Sequence, residues 1–376
     1  MTDVIVIGGG VVGATAAYHL ARSGVRVTLV DRADLGQATA AGAGIISPGT
    51  SIKPPAPFFP LSFQAVKYYP QLLVQLAEDG ETETGYAVVG AIFIATSEDE
   101  AARLPAILRQ AEERRASGML NIGETTLVSG KEAQELFPAL ADIHGGLFAS
   151  GSARVDGRLL RDALQRGAEK HGATILRGSA EPVHENGRIT HVTVDHTAYA
   201  ADTVIIAGGA WSNALGERLG VRIPVSPQRG QILHLEMPAV ETGRWPIITG
   251  FHSHYILTWP SNRVVAGATR EDASGYDYRL TAGGVHEALG EALRVAPGLR
   301  DATVKEIRIG LRPSSPDQLP ILGVAPGIDN LFVATGHGPS GLQLGPYSGA
   351  AVADLALGKS IELDLTPYAA TRFQDG

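Results

Sequence analysis

Apolar positions along this chain follow two patterns. Near the start, Val4-Ile5-Val6-Ile7 is an unbroken β-prone run, as expected of a strand buried on both faces. It breaks at Gly8-Gly9-Gly10; from Val11 to Ser23 the spacing becomes helical, with Gly24 as the stop. A second apolar run, Val25 to Val30, ends at Asp31. The same grammar returns later. Asp156 to Gly172 reads as an amphipathic helix with an aspartate N-cap and a glycine stop, followed by a strand from Ala173 to Leu176. Thr203 to Ala207 and Leu331 to Ala334 are fully apolar strands that run into glycines. These pieces lie far apart, so the parallel-sheet unit they predict is discontinuous.

The intervening segments differ. Gly90 to Thr96, Gly230 to Leu235, Tyr255 to Trp259 and Arg263 to Thr269 are short β-prone runs separated by turn residues, which predicts a mixed or antiparallel sheet. Ser97-x-x-Glu100 and Ser129-x-x-Glu132 read as capping boxes, and Glu112 to Arg115 as a solvated helix face. Lys53 to Pro70, dense in proline and aromatics, reads as a rigid connector that packs its rings on the core; a cap over a site or an apolar contact with a membrane or partner are the alternatives.

Val4 to Ala21 carries no formal charge and is about as long as a membrane span, but its glycines cluster where a strand turns into a helix, and each would weaken a membrane helix by roughly 1 kcal/mol. Only Met1, Thr2 and Asp3 precede it, without the basic segment of a secretory signal. The net charge of -8 and the lack of any basic run argue against a nucleic-acid partner. With no cysteine, thiolate chemistry, disulfides and iron–sulfur ligation are excluded.

Gly8-x-Gly10-x-x-Gly13 between a strand and a helix gives each glycine its own role, namely a tight turn, close approach of backbone to a pyrophosphate, and close helix–strand packing. Phosphates then meet N–H groups at the positive end of the helix. Asp31 ends the next strand where a ribose-binding carboxylate is expected, which favours NAD or FAD; Arg32 beside it leaves NADP open. Gly336-x-Gly338-x-x-Gly341 repeats the spacing, yet no second buried strand ending in an acid follows. It reads as a helix start aimed at another electron-rich group, such as the N1–C2=O2 edge of a flavin.

Five motifs occur in order: IVIGGGVVGATAAYHLARSG, ATAAGAGIISP, TVIIAGGAWS, PVSPQRGQILHLE, and GLRPSSPDQLPILG followed by NLFVATGHGPSG. Together they resemble the FAD-dependent D-amino acid oxidase superfamily, in its glycine oxidase and D-amino acid dehydrogenase branch. The resemblance implies an α/β fold: a Rossmann-type FAD-binding domain over 1–84, 146–222 and 308–376, with an inserted α+β substrate domain on a mixed or antiparallel sheet over 85–145 and 223–307. It also implies that Gly8, Gly10, Gly13, Asp31 and Arg32 surround the pyrophosphate and ribose. Thr39, Ala43, Gly44 and Ile45 would line the phosphates and flavin, and Val183 would hold adenine through its backbone. Gly208 and Trp211 would approach from a later strand, and Gly338, Gly341 and Leu342 would set the last helix under the pyrimidine edge.

Arg312 stands where the family holds the substrate carboxylate, a role that suits the planar guanidinium fork. Tyr255 is the nearest candidate for the tyrosine that shares this carboxylate in glycine oxidases, although Leu257 competes for the position. His252 and His254 read as loop residues, and with no Cys or His between Ala38 and Pro48 the flavin is expected to be noncovalent. The implied activity is oxidative deamination of glycine or a D-amino acid by hydride transfer from Cα to flavin N5. Alternatives are oxidation of a secondary amine, proline-like or N-methylated, and a flavin-binding subunit of a hetero-oligomeric dehydrogenase. The expected partners are the small amino acid and an electron acceptor: oxygen, a quinone or a protein. Oligomerisation and peripheral contact with the inner face of the membrane stay open for a protein expected in the cytoplasm.

Overall fold

The computed structural model describes residues 3–49 and 55–374 of the chain and is built on two large sheets. The first has six strands in the order Ile321–Val324, Leu331–Thr335, Thr203–Ile206, Asp3–Ile7, Arg26–Asp31, Thr174–Arg177. All neighbours are parallel except the Ile321–Val324 edge pair. Every residue of Val4–Ile7, Thr203–Ile206 and Leu331–Thr335 is buried, as their unbroken apolar runs require. Helix Val11–Arg22 packs between helices Gly157–Lys170 and Gly341–Ala356. The Gly157–Lys170 helix begins as read from sequence: Asp156 accepts from the N–H groups of Arg158 and Leu159 at 3.0 and 3.3 Å.

The second sheet has eight strands in the order Thr303–Ser314, Ser226–Glu236, Arg263–Gly267, Tyr255–Thr258, Ile247–Gly250, Ala91–Ala95, Gly145–Ala149, Thr125–Val128. Only the Ile247–Gly250/Ala91–Ala95 pair is parallel, so the sheet is mixed. The boundaries expected at 146 and 308 fall inside its strands: Gly145–Ala149 and Thr303–Ser314 both belong to this sheet by pairing. Ser129 and Glu132 form the full capping box, whereas Glu100 turns to Thr96 and leaves the Ser97 box half made.

The proline-rich segment differs from expectation. Lys53 and Pro54 lie outside the described residues, but Phe58–Glu78 is a helix of 21 residues with Pro70 inside it. Pro60 sits in the first turn, where no N–H is needed. Pro70 cannot donate to the Val66 carbonyl, and the Asn121 side-chain amide does so instead, at 3.2 Å. The same device recurs in the last helix. Pro346 leaves the Leu342 carbonyl without its helical donor, and the buried Tyr69 hydroxyl donates to it. Arg114 also departs from the solvated-face reading: it lies over the Phe59 ring, 4.1 Å from its centroid, and donates to the Gly49 carbonyl.

Candidate active site

The first strand stops at a turn only glycine can make. Gly8 has φ of +111°, and a Cβ there would come 2.3 Å from the Ala207 carbonyl oxygen; at Gly13 it would come 1.9 Å from the Gly8 oxygen. Gly13 therefore packs the helix onto the strand, while Gly8 and Gly10 line a cavity of about 390 Å³. Asp31 lies at its edge, accepting from the Gly9 and Ala33 N–H groups and from Gln37 at 2.9 Å. Arg32 lines the same end, but its guanidinium is already engaged by Asp34 at 2.8 Å, which removes the free cation that a 2′-phosphate would want.

Thr39, whose hydroxyl accepts from the Val11 N–H at 3.0 Å, continues the wall with Ala43, Gly44 and Ile45. Gly208 and Trp211 come from the loop after Thr203–Ile206; the Trp211 ring stacks on Tyr276. Gly338, Gly341 and Leu342 close the cavity at the start of the last helix, which has no side-chain cap at Ser340. Val183 is not brought here. It pairs with His191 inside a three-stranded antiparallel sheet, and its carbonyl accepts from Thr190. The residues that line the cavity come just before it, at Gly178, Ser179 and Ala180, because the chain leaves the wall as that strand begins.

Arg312 and Tyr255 line the same cavity, although they come from non-adjacent strands of the eight-stranded sheet. Arg312 faces Gln228 across the ladder and donates to its side-chain oxygen at 3.2 Å. Its guanidinium then runs over the neighbouring strand to the Thr269 carbonyl, 2.9 Å away. Gly230 makes that route possible: a Cβ there would lie 2.4 Å from Nη2 and 2.6 Å from Cζ of Arg312. Tyr255 pairs with Gly267 and lays its ring across it from the other side, where a Cβ would lie 2.8 Å from the phenol oxygen. Two glycines thus clear a path along which a cation and a phenol converge.

Burial raises the Tyr255 hydroxyl to about 12, opposed by the nearby Arg312 charge, so it remains a donor. Desolvation lowers Arg312 from the usual guanidinium value, and the hydrogen bonds it makes are to neutral acceptors. His337, buried at 5% exposure, also lines the cavity; burial brings it down to about 4, and its Nε2 has no partner among the described residues. No described residues form a metal-binding cluster of His, Cys, Asp and Glu, and no described helix is long and apolar enough to cross a membrane. Gly230, Gly267, Gln228, Thr269 and His337 were not predicted as site residues; Gln228, Gly230 and His337 sit inside the motifs that carry the resemblance, whereas Gly267 and Thr269 lie outside all of them.

A glycine turn under an uncapped helix start, a carboxylate at the end of the second strand and a second uncapped helix at the far wall suit an adenine dinucleotide that continues into a flavin. The FAD dependent oxidoreductase family model matches residues 3–355. The chain belongs to this family. The flavoenzyme is 46% identical to the oxidoreductase YurR of Bacillus subtilis over 98% of both chains. Its structure resembles iminodiacetate oxidase from Chelativorans sp. BNC1 with a TM-score of 0.93 and 40% identity, covering 97% of this chain and 98% of that one. It resembles glycine oxidase from Geobacillus kaustophilus with a TM-score of 0.88 and 30% identity, covering 99% of each. FAD is therefore its cofactor, within an amino acid oxidase fold.

Proposed function

We propose that this flavoenzyme oxidises the Cα–N bond of a small amino acid, glycine or a D-amino acid in the first instance, with the substrate carboxylate on Arg312. The observation that carries this reading is a desolvated guanidinium whose hydrogen bonds go to neutral acceptors, set near a protonated phenol in the wall of the same cavity. A carboxylate would meet the fork of Arg312 and accept from Tyr255, which fixes the Cα hydrogen relative to the cofactor. Bound FAD supplies the two-electron acceptor for the hydride that leaves Cα. As the Cα–H bond breaks, the nitrogen lone pair closes the C=N bond; the product sheds its N–H proton and water hydrolyses it to an oxo acid and ammonia, or an amine where the substrate nitrogen is substituted. Dioxygen or a quinone then takes the two electrons.

The carboxylates that line the cavity are Asp31 and Asp34; Glu271 and Asp272, whose charges act on Arg312, do not line it, so the amine loses its proton before transfer. A second reading, oxidation of a secondary amine, is favoured by the greater likeness to iminodiacetate oxidase (40% identity) than to glycine oxidase (30%). Both readings meet the same experiment. The purified holoenzyme is mixed anaerobically with glycine, D-alanine, sarcosine, proline and iminodiacetate, and its flavin absorption is followed. Bleaching by at least one is expected. A flavin that stays yellow with the whole panel refutes catalysis by the isolated chain and favours a subunit that needs a partner.

A further inference from the structure

The two large sheets meet around the cofactor cavity, and they are not joined in the same way on every side. On one flank the join is backbone: Ser314, the last residue of strand Thr303–Ser314, bridges to the buried His337 just beyond strand Leu331–Thr335. On another, Gly310 lies so close to the buried Ala41 that a Cβ there would come within 2.9 Å of it. A further join is made by side chains at the surface.

It starts from the loop between strand Arg263–Gly267 and helix Ala282–Val295, whose base is clamped. Arg229, 6% exposed, donates to the Glu271 carboxylate at 2.6 Å and to the carbonyls of Asp277 and Arg279 at 3.2 Å each. Gln231 donates to the Thr281 hydroxyl at 2.8 Å and accepts from the Thr281 N–H at 3.1 Å. Residues 271, 277, 279 and 281 are thereby fixed to strand Ser226–Glu236. Within the clamp the chain turns at Gly275, whose φ of +56° and ψ of −139° suit glycine alone.

Two tyrosines carry this loop over to the other sheet. Tyr276 donates to the Ala210 carbonyl at 3.0 Å and stacks its ring on Trp211, with centroids 5.9 Å apart and planes at 25°. Tyr278 rests against Gly36, where a Cβ would lie 3.1 Å from its ring. Ala210 and Trp211 line the cavity, and Gly36 stands between the lining residues Asp34 and Gln37. The tyrosines themselves are outside it, 49% and 39% exposed. They hold lining segments of the first sheet to the second without facing the cofactor. FAD must pass in and out of a cavity walled by both sheets, and the joins through Ser314 and Ala41 cannot part without opening the core. The half-exposed tyrosine join can, because local opening is least costly where few buried contacts are broken.

We propose that Tyr276 is a latch on the cofactor cavity: seated on Ala210 and Trp211 it keeps the two sheets closed around FAD, and the cofactor is taken up and released when it lifts. A latch that does not face FAD raises the barrier to uptake and to release alike and leaves the affinity nearly unchanged, since it has no differential interaction with the bound and free states. A residue that gripped FAD, directly or through Trp211, would slow release alone.

Flavin fluorescence reads both rates without any substrate, as its rise when diluted holoenzyme releases FAD and as its fall when flavin-free protein takes FAD up. Tyr276→Ala removes the hydrogen bond and the stack and should speed both processes by about 30-fold, with Kd within about threefold of wild type. Tyr276→Phe keeps the stack and loses only the bond to Ala210, so about fivefold in both rates is expected. The denaturant midpoint of flavin-free Tyr276→Ala should stay at the wild-type value. Faster release with unchanged uptake would show that Tyr276 grips the cofactor and would overturn the latch; so would wild-type rates in both directions, or a midpoint that falls in step with faster release. Should Tyr276→Ala fail to fold, Tyr276→Phe decides alone, and wild-type rates in it refute the proposal.

Discussion

Replacing Gly230 by alanine adds a single methyl group and tests how the carboxylate site is assembled. The new Cβ would sit 2.4, 2.6 and 2.7 Å from Nη2, Cζ and Nη1 of Arg312, where an ordinary contact needs about 3.4 Å or more. The backbone stays and the guanidinium yields, because it is the far end of a long side chain. It must move by roughly 1 Å, which breaks its line to the Thr269 carbonyl and turns the fork away from the substrate. A displacement of that size in a positioning group costs about 100-fold in kcat/KM, near 2.7 kcal/mol of transition-state stabilisation. Stability should change by less than about 1 kcal/mol, and FAD should bind as before, since the three atoms nearest the added methyl all belong to Arg312. Steady-state kinetics with the best substrate, a flavin-binding titration and a denaturant midpoint together make the test. Wild-type kcat/KM in Gly230→Ala would show that Arg312 does not need this path and would refute the assembly of the site around it.

Other outcomes follow from the same geometry. Arg312→Ala should raise KM by roughly 30- to 1,000-fold, equivalent to ~2–4 kcal/mol, while the protein stays yellow; unchanged KM would remove Arg312 from the site. Tyr69→Phe leaves the Leu342 carbonyl without a donor and should cost about 1–3 kcal/mol in chemical denaturation, with no loss expected if Pro346→Ala restores the helical bond. His337 is held neutral down to about pH 4, whereas the unfolded chain protonates it near pH 6.5, so the unfolded state binds more protons between these values. Stability should therefore be unaffected by His337 above pH 6.5 and fall as the pH drops from 6.5 to 4, by up to about 3 kcal/mol. A His337→Gln variant with the same slope would refute that assignment.

What could be read in the sequence was local. The Val4–Ile7 run, the Gly8 turn and the Asp156 cap depend on residues within one or two turns of each other, so their chemistry shows in the order of letters. Arg312 was visible only through resemblance, since one arginine before a proline has no signature of its own. The route it takes was not legible at all: it needs four strands drawn from positions 226–236, 255–258, 263–267 and 303–314 to stand in one register. Val183 lies outside the cavity lining for a related reason, because the wall ends where its strand starts, and strand limits are set by pairing with Arg188–Val194. Lys53 to Pro70 read as a connector because its prolines contradict a helix; Pro70 fits inside one only because a donor arrives from Asn121, which is not near it in sequence.

The phenol that completes the last helix also joins two parts of the molecule with separate duties. Leu342 forms part of the cavity floor through its side chain while its carbonyl is held by Tyr69 from the aromatic helix. That aromatic helix therefore works as a strut for the cofactor bed, and grafting it from a relative that carries phenylalanine at this place would loosen the flavin platform even with every lining residue retained.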